Sequence, residues 1–452
     1  MSLATVVNDD RVAPIRGAEL IIRKCLGLMP GQTFLLIHDE TTPEFPDLFR
    51  QAANLADAYF EHVFVAEDAQ AEVESVFTPA LMGGIRRAQG VLVATTGAER
   101  CSAFRINLTT DKRGAGCRVA TMPGANIDIL RTAIDIDYEE VFESSLRLTL
   151  PLLKGNDCRI TTYGSDGGEY QLYMSLGGAQ RTPIQSLGII PADAWGNVPA
   201  GEIFIAPLEN SADGEFLVNG AVGNEKLTGG REVLLTFDRG RLVRHQYVGT
   251  QREVAELVEA QSIAEERTHG DCWRVIAELG IGLNRMIPGI TGIPLLDEKK
   301  YGTVHIAVGH NMGYGGRNDC RSIHCDITTI GPTVQIDGQR VIDCGHHVVG
   351  DEWIDSYRTH LDRGIPLRIV ALDAGFFAIR NDHFLVRRLT GSGRETLYPI
   401  GDAETSALAR RLVDSAEDDI LDLDAAPGQL GLPMETVAAV AAMLTSHGVI
   451  RS

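Results

Sequence analysis

The chain reads as an α/β protein in three units: an amino-terminal open α/β domain with a parallel sheet, a mixed or antiparallel-sheet α+β domain, and a small helical carboxy-terminal unit. Three observations lead there. Short apolar strands alternate with amphipathic helices as far as about residue 150; hairpin-like strands dominate from about residue 157; and two helical runs fill the last sixty residues. At 452 residues the chain exceeds one ordinary domain, and the expected divisions are 1–155, 156–395 and 396–452.

In the first unit, Arg16 to Leu26 carries apolar residues at helical spacing, Met29-Pro30-Gly31-Gln32 is a turn, and Thr33-Phe34-Leu35-Leu36-Ile37 is a fully apolar strand. The cycle repeats with helices at Phe45 to Ala58 and Pro79 to Ala88, and strands at His62 to Val65 and Gly90 to Ala94. Buried strands separated by helices imply a parallel sheet covered on both faces. Neither G-x-G-x-x-G nor G-x-x-x-x-G-K-[ST] occurs in this unit, so no phosphate-cradling loop is expected.

The second unit is built of strands at Arg159 to Tyr163, Gly201 to Ala206, Glu215 to Ala221, Val233 to Phe237, Arg241 to Val243 and, intermittently, Val304 to Ile342. Asp238-Arg239-Gly240 forms a hairpin turn, and Glu253 to Arg267 reads as an amphipathic helix. The third unit has helices at Ala403 to Ser415 and Pro433 to Ser446, glycines 428 and 431 between them, and a terminal strand at Val449 to Arg451, an order like that of a small winged-helix module. Asp414, Glu417, Asp418, Asp419, Asp422 and Asp424 crowd it, which suits docking against protein better than reading DNA.

A formal charge of −20, from 41 Lys and Arg against 61 Asp and Glu, argues against neutralising nucleic-acid phosphates. A small molecule or short peptide is the expected partner. The start has no basic segment followed by an apolar core, and no apolar run approaches membrane length; a cytoplasmic location is expected. Eight cysteines without a Cys-x-x-Cys pair suggest reduced thiols, with Cys320 and Cys325 as small buried hydrophobes.

The chemistry concentrates after the glycine-rich run Gly313-Tyr314-Gly315-Gly316. In the strand Ile323-His324-Cys325-Asp326-Ile327, alternation puts His324 and Asp326 on one face and the apolar residues on the other. An imidazole and a carboxylate on rigid backbone suit a divalent ion. Further donors stand at strand-like positions upstream: His305 in Val304-His305-Ile306-Ala307-Val308, Glu278 beside Gly280 and Gly282, and Glu202 after Asn197-Val198-Pro199-Ala200-Gly201. Three carboxylates and two imidazoles suffice for two ions, one carboxylate bridging, with water at the open positions. Such pairs lie roughly 3.5–4 Å apart and suit hydrolysis at neutral pH.

These segments, in this order, resemble the metal-binding segments of the aminopeptidase T family of metallo-aminopeptidases, and the likeness covers about residues 15 to 345, including Cys25-Leu26 and Pro30-Gly31. The resemblance implies that Glu202, Glu278, His305, His324 and Asp326 hold two divalent ions (zinc, cobalt or manganese) in a homodimeric hydrolase acting on amide or related bonds. Seven residues after His305, where that family has a tyrosine, stands Met312; His310 and Tyr314 flank it and become the candidate catalytic residues. The sequence is similar as well to the 2,5-dihydroxypyridine ring-cleaving dioxygenases, through the His-x-Asp strand and Gly309-x-Asn311 before it. That likeness implies one Fe(II) held by two histidines and a carboxylate. Those enzymes have a histidine where this chain has Glu278, so the two-ion reading is the one adopted.

Overall fold

The computed structural model describes residues 12–97, 101–109, 116–190, 194–227, 230–248, 270–320 and 323–349, and nearer the carboxy terminus 369–372, 377–380, 383–389, 395–399, 403–414, 420–422, 430–446 and 450–451. The helix expected at Glu253 to Arg267 lies outside the described residues.

A five-stranded parallel sheet runs in the spatial order Tyr59–Phe64, Thr33–His38, Gly90–Thr95, Arg118–Pro123, Trp195–Asn197. Its three inner strands are buried on both faces because their alternate residues feed two cores. Phe34, Leu36, Leu92, Ala94, Ala120 and Met122 pack with Ile21, Ile22, Phe45, Phe49 and Ile129, while Leu35, Ile37, Val91, Val93 and Val119 pack with Leu81, Ile85 and Phe104 on the other side. The helix expected to run from Arg16 to Leu26 is α-helical only over Val12–Leu20 and widens into a π-turn at Ile21–Cys25, with the Leu26 N–H donating to the Ile21 carbonyl at 2.8 Å. The second helix ends at Leu55, three residues before the expected Ala58, and Asp57 turns left-handed at φ 53°; the strand after it therefore begins at Tyr59.

The last strand of this sheet, Trp195–Asn197, comes from beyond residue 155, so the chain returns to the first sheet after starting the second unit. After four intervening residues it enters Glu202–Ile205, which belongs to a seven-stranded sheet. Through Ile184–Ser186, Glu202–Ile205, Ile276–Gly282, Thr303–Gly309 and His324–Ile330, every neighbouring pair of that sheet is antiparallel. An eight-stranded antiparallel sheet, which includes Asp157–Tyr163, Glu169–Ser175, Asp213–Val218 and Glu232–Asp238, stacks on it. The core between the two is a sandwich of inward residues: Ile160, Leu172, Phe216, Val218, Leu235 and Val334 against Ile203, Ile205, Leu279, Ile281, Val304, Ile306, Val308 and Ile327. The Asp238-Arg239-Gly240 turn is present, with Gly240 at φ 78°.

Cys272 and Cys320 form a disulfide across 48 residues of sequence, which corrects the expectation that every thiol is reduced. Cys272 sits in the short turn Gly270–Arg274 and Cys320 in the loop before His324, a long-range pairing that leaves no trace in local spacing. The other six cysteines form no disulfide, and Cys25, Cys101, Cys117 and Cys158 among them are buried. A structural disulfide is less common in a reducing compartment.

Near the carboxy terminus are helices Ala403–Asp414 and Met434–Ser446, and the strand Ile450–Arg451 pairs with Ile369–Leu372, which also pairs with Ile420–Asp422. No helix among the described residues is long and apolar enough to cross a membrane.

His347 packs against Tyr301 with ring centroids 4.6 Å apart and planes tilted by 46°, and the Arg285 guanidinium lies over the Tyr301 ring, 3.5 Å from its centroid. Burial, then the Arg285 charge, push the His347 imidazole down from its ordinary 6.5 to about 4. The folded state thus resists protonation that the unfolded chain accepts. Stability is expected to be unaffected above pH 6.5 and to fall as pH drops from 6.5 to 4, by about 3 kcal/mol at most. Melting curves of His347→Gln across that window check this: the variant should lose less stability than the parent.

Candidate metal centre

The face of the seven-stranded sheet turned away from the sandwich core carries all five sequence-predicted donors. The alternation that buries Leu279 and Ile281 turns Glu278 and Gly280 the other way, and the same holds for His305 between Val304 and Ile306, and for Asp326 beside Ile327. Ladder register then aligns them: Ala307 pairs with Asp326, Gly309 with His324, Glu278 with Ala307, Gly280 with His305, and Gly282 with Glu202. Between the donors the face is paved with glycine and alanine, so long side chains converge over small ones and a cup results.

Gly280 shows how tight this is. A Cβ there would overlap the imidazole of its partner His305, so only glycine lets the ring lie flat across the neighbouring strand. Gly280→Ala is expected to displace His305, costing roughly 1–3 kcal/mol by overpacking and weakening metal retention; calorimetric metal titration beside a melting curve checks both.

Glu278 is central. Its Oε1 lies 3.1 Å from His305 Nε2 and its Oε2 3.4 Å from His324 Nε2. Asp326 Oδ1 is 3.2 Å from His324 Nε2, and Glu202 Oε2 is 3.7 Å from His305 Nε2. Two triads follow, Glu202–Glu278–His305 and Glu278–His324–Asp326, each with donor atoms within 4.8 Å of one another, and Glu278 belongs to both. The first triad is buried; the second opens outward, with the His324 and Asp326 side chains 23% and 14% exposed. A cation could thus be held at the floor and another at the rim.

The electrostatics belong to a group of charges with little water. Burial would raise the Glu278 carboxyl, yet hydrogen bonds from His305 and His324 bring it below its ordinary value. Asp326, which burial would likewise raise, is held far down by the His324 charge and hydrogen bond. For His305, burial pushes down but Glu278, Glu202 and Asp326 outweigh it and hold the imidazole up at about 9. An imidazole ligates only as the neutral base, so a metal entering here displaces that proton. On the far side of its ring, His324 Nδ1 donates a hydrogen bond to the His310 carbonyl at 2.8 Å, which leaves Nε2 aimed at the carboxylates.

Two residues that the sequence reading passed over complete the cup. Lys299 is fully buried; its ammonium donates to Glu202 Oε1 at 2.8 Å and also pairs with Glu298. Burial and the neighbouring Glu202 and Asp326 charges raise the Glu298 carboxyl well above its usual range, against the pull of Lys299. In sequence, Asp297-Glu298-Lys299-Lys300 looks like a solvated charged turn; no spacing signal marks it. Of the two candidate catalytic residues, His310 meets the cup through its backbone carbonyl, and its imidazole Nδ1 lies 3.8 Å from Asp319 Oδ1 in the loop. Tyr314 closes the short helical turn Met312–Tyr314, and its side chain lies outside the described residues.

Comparison with solved structures places this architecture. Over 76% of this chain and 99% of the other, it superposes on 2,5-dihydroxypyridine dioxygenase from Pseudomonas putida with a TM-score of 0.57 at 15% sequence identity. It also superposes on wild-type AmpT, aminopeptidase T, from Thermus thermophilus, over 75% of this chain and all of that one, with a TM-score of 0.50 at 15% identity. The fold is shared with both. At such identity the likeness to aminopeptidase T and to the dioxygenase is one of fold, and the site must speak for the chemistry. No family model and no curated protein sequence matches the chain.

Proposed function

We propose that this protein is a metal-dependent hydrolase that cleaves an amide or related bond in a small molecule or short peptide, with Glu202, Glu278 and His305 holding one divalent ion and Glu278, His324 and Asp326 a second. The observation that carries the reading is the position of Glu278, one oxygen toward each imidazole, as a bridging carboxylate requires. The donor set fits such a pair: buried carboxylates gathered this closely call for cations, and nitrogen with oxygen ligands suit zinc, cobalt or manganese. When bound, the ions would polarise the scissile carbonyl and lower the pKa of a water.

The chain's own residues shape that chemistry. Lys299 occupies Glu202 Oε1 and so leaves Oε2 as that residue's donor atom. Glu298, its carboxyl raised and beside Asp326, and the loop residues His310 and Tyr314 are the proposed proton carriers. A homodimer, a cytoplasmic location, unit divisions near residues 155 and 395 and a winged-helix-like carboxy-terminal docking unit belong to the same proposal.

One observation favours a second reading. The Lys299 ammonium already neutralises Glu202, and a site with one ion held by two histidines and a carboxylate, as in non-haem iron oxygenases, would leave Glu202 to that lysine. Metal analysis of protein purified without added metal, with an oxygen electrode alongside, separates the two. Two zinc, cobalt or manganese ions per chain and no oxygen uptake are expected; one iron per chain with oxygen consumption would overturn the hydrolase.

A further inference from the structure

The segment that joins the His305 strand to the His324 strand is held by a carboxylate that belongs to neither. Glu209 Oε1 accepts the Asn311 side-chain amide at 3.0 Å and the Arg317 N–H at 2.6 Å, and Oε2 accepts Arg181 at 2.7 Å. Arg181, its side chain 3% exposed, also donates to the Gly315 carbonyl. Asn311 is fully buried and threads the segment: its N–H reaches the Asn318 carbonyl at 3.1 Å, its carbonyl accepts Gly316 N–H at 3.0 Å, and its Oδ1 accepts Asn318 N–H at 2.8 Å. A Cβ on Gly316 would overlap the Asn311 amide, so the turn closes only as it stands.

The outcome of this wiring is felt at the rim of the cup. His310 precedes Asn311, and with its N–H donated to the Ile323 carbonyl at 2.8 Å its own carbonyl meets His324 Nδ1 at 2.8 Å. Burying the Arg181 guanidinium is costly unless its partner is well placed, and an apolar contact would pack the segment equally well. An ion pair spends that cost on direction. We propose that Glu209 and Arg181 are positioning residues that aim His324: by fixing the His310 carbonyl they hold the imidazole in its Nδ1–H form, with Nε2 turned toward Glu278 and Asp326, where the rim ion would bind. The consequence for metal binding rests on the function proposed above; the consequence for the imidazole does not.

The test uses the full-length protein and Glu209→Gln, which keeps size but offers one acceptor oxygen where two serve three donors. In metal-free protein at alkaline pH, nitrogen NMR should show His324 almost wholly as the Nδ1–H tautomer in the parent and as a mixture in the variant. Titration with zinc should show one class of site weakened about 10–100-fold, the range for lost outer partners of metal ligands, and the other unchanged. Arg181→Lys, which keeps the charge but not the forked reach, should fall between parent and Glu209→Gln, and it serves if Glu209→Gln does not fold. An unchanged His324 tautomer, or equal weakening of both sites, would overturn the clasp. Parent protein that binds no zinc yet shows the tautomer shift in the variant would instead remove the hydrolase reading and leave the clasp standing.

Discussion

Glu278→Ala is expected to empty both halves of the cluster at once, because one oxygen of that carboxylate serves each triad. Glu202→Ala touches only the floor triad and Asp326→Ala only the rim, so each should lose one ion and keep the other. Loss of a polarising ion removes several kcal/mol of transition-state stabilisation, and at ~1.4 kcal/mol per tenfold the expected fall in turnover is roughly a thousandfold or more. Metal content of the three variants by elemental analysis, beside kcat/KM, reads the pattern. Glu278→Ala that still retains one tightly held ion would mean that the carboxylate does not bridge.

Lys299→Met should cost the metal-free protein much of its stability and the metal-loaded protein far less. The ammonium is fully buried between Glu202 and Glu298, and removing one member of a buried ion pair typically costs about 3–5 kcal/mol, because the remaining charge is left without a partner. Burial already pushes the Glu298 carboxyl upward, and a divalent ion held by Glu202 at the floor would supply the positive charge that the ammonium no longer does. Urea unfolding in excess chelator and in saturating zinc measures both limbs. A variant as stable as the parent in chelator would show that Lys299 carries no such burden.

The five donors were legible because a strand's period of two is visible in sequence. His324-x-Asp326, His305 among Val304, Ile306 and Val308, and Glu278 beside Gly280 each announce one polar and one apolar face. What brings four separated segments together is strand order, and there the reading depended on likeness to a known arrangement. Lys299 and Glu298 were opaque for the opposite reason: charged residues in a row between a glycine-rich stretch and a strand ordinarily stay in water, and only tertiary burial gives them a role. Glu209 and Arg181 lie 28 residues apart and meet over a third segment, as Cys272 and Cys320 meet across 48. Contacts of that kind leave no local period. Trp195–Asn197 was missed as a strand of the first sheet because three residues are too few to show alternation.

The cup and the hydrophobic sandwich are opposite sides of the same strands, and that has a consequence for how the centre is assembled. Were the Thr303–Gly309 strand to shift one position against its neighbours, His305 would point into oil and Val304 would stand among carboxylates. Neither substitution is tolerable. A chain that has folded far enough to be stable has therefore already aligned its donors, so proofreading of the metal site is done by the greasy side, before any ion arrives.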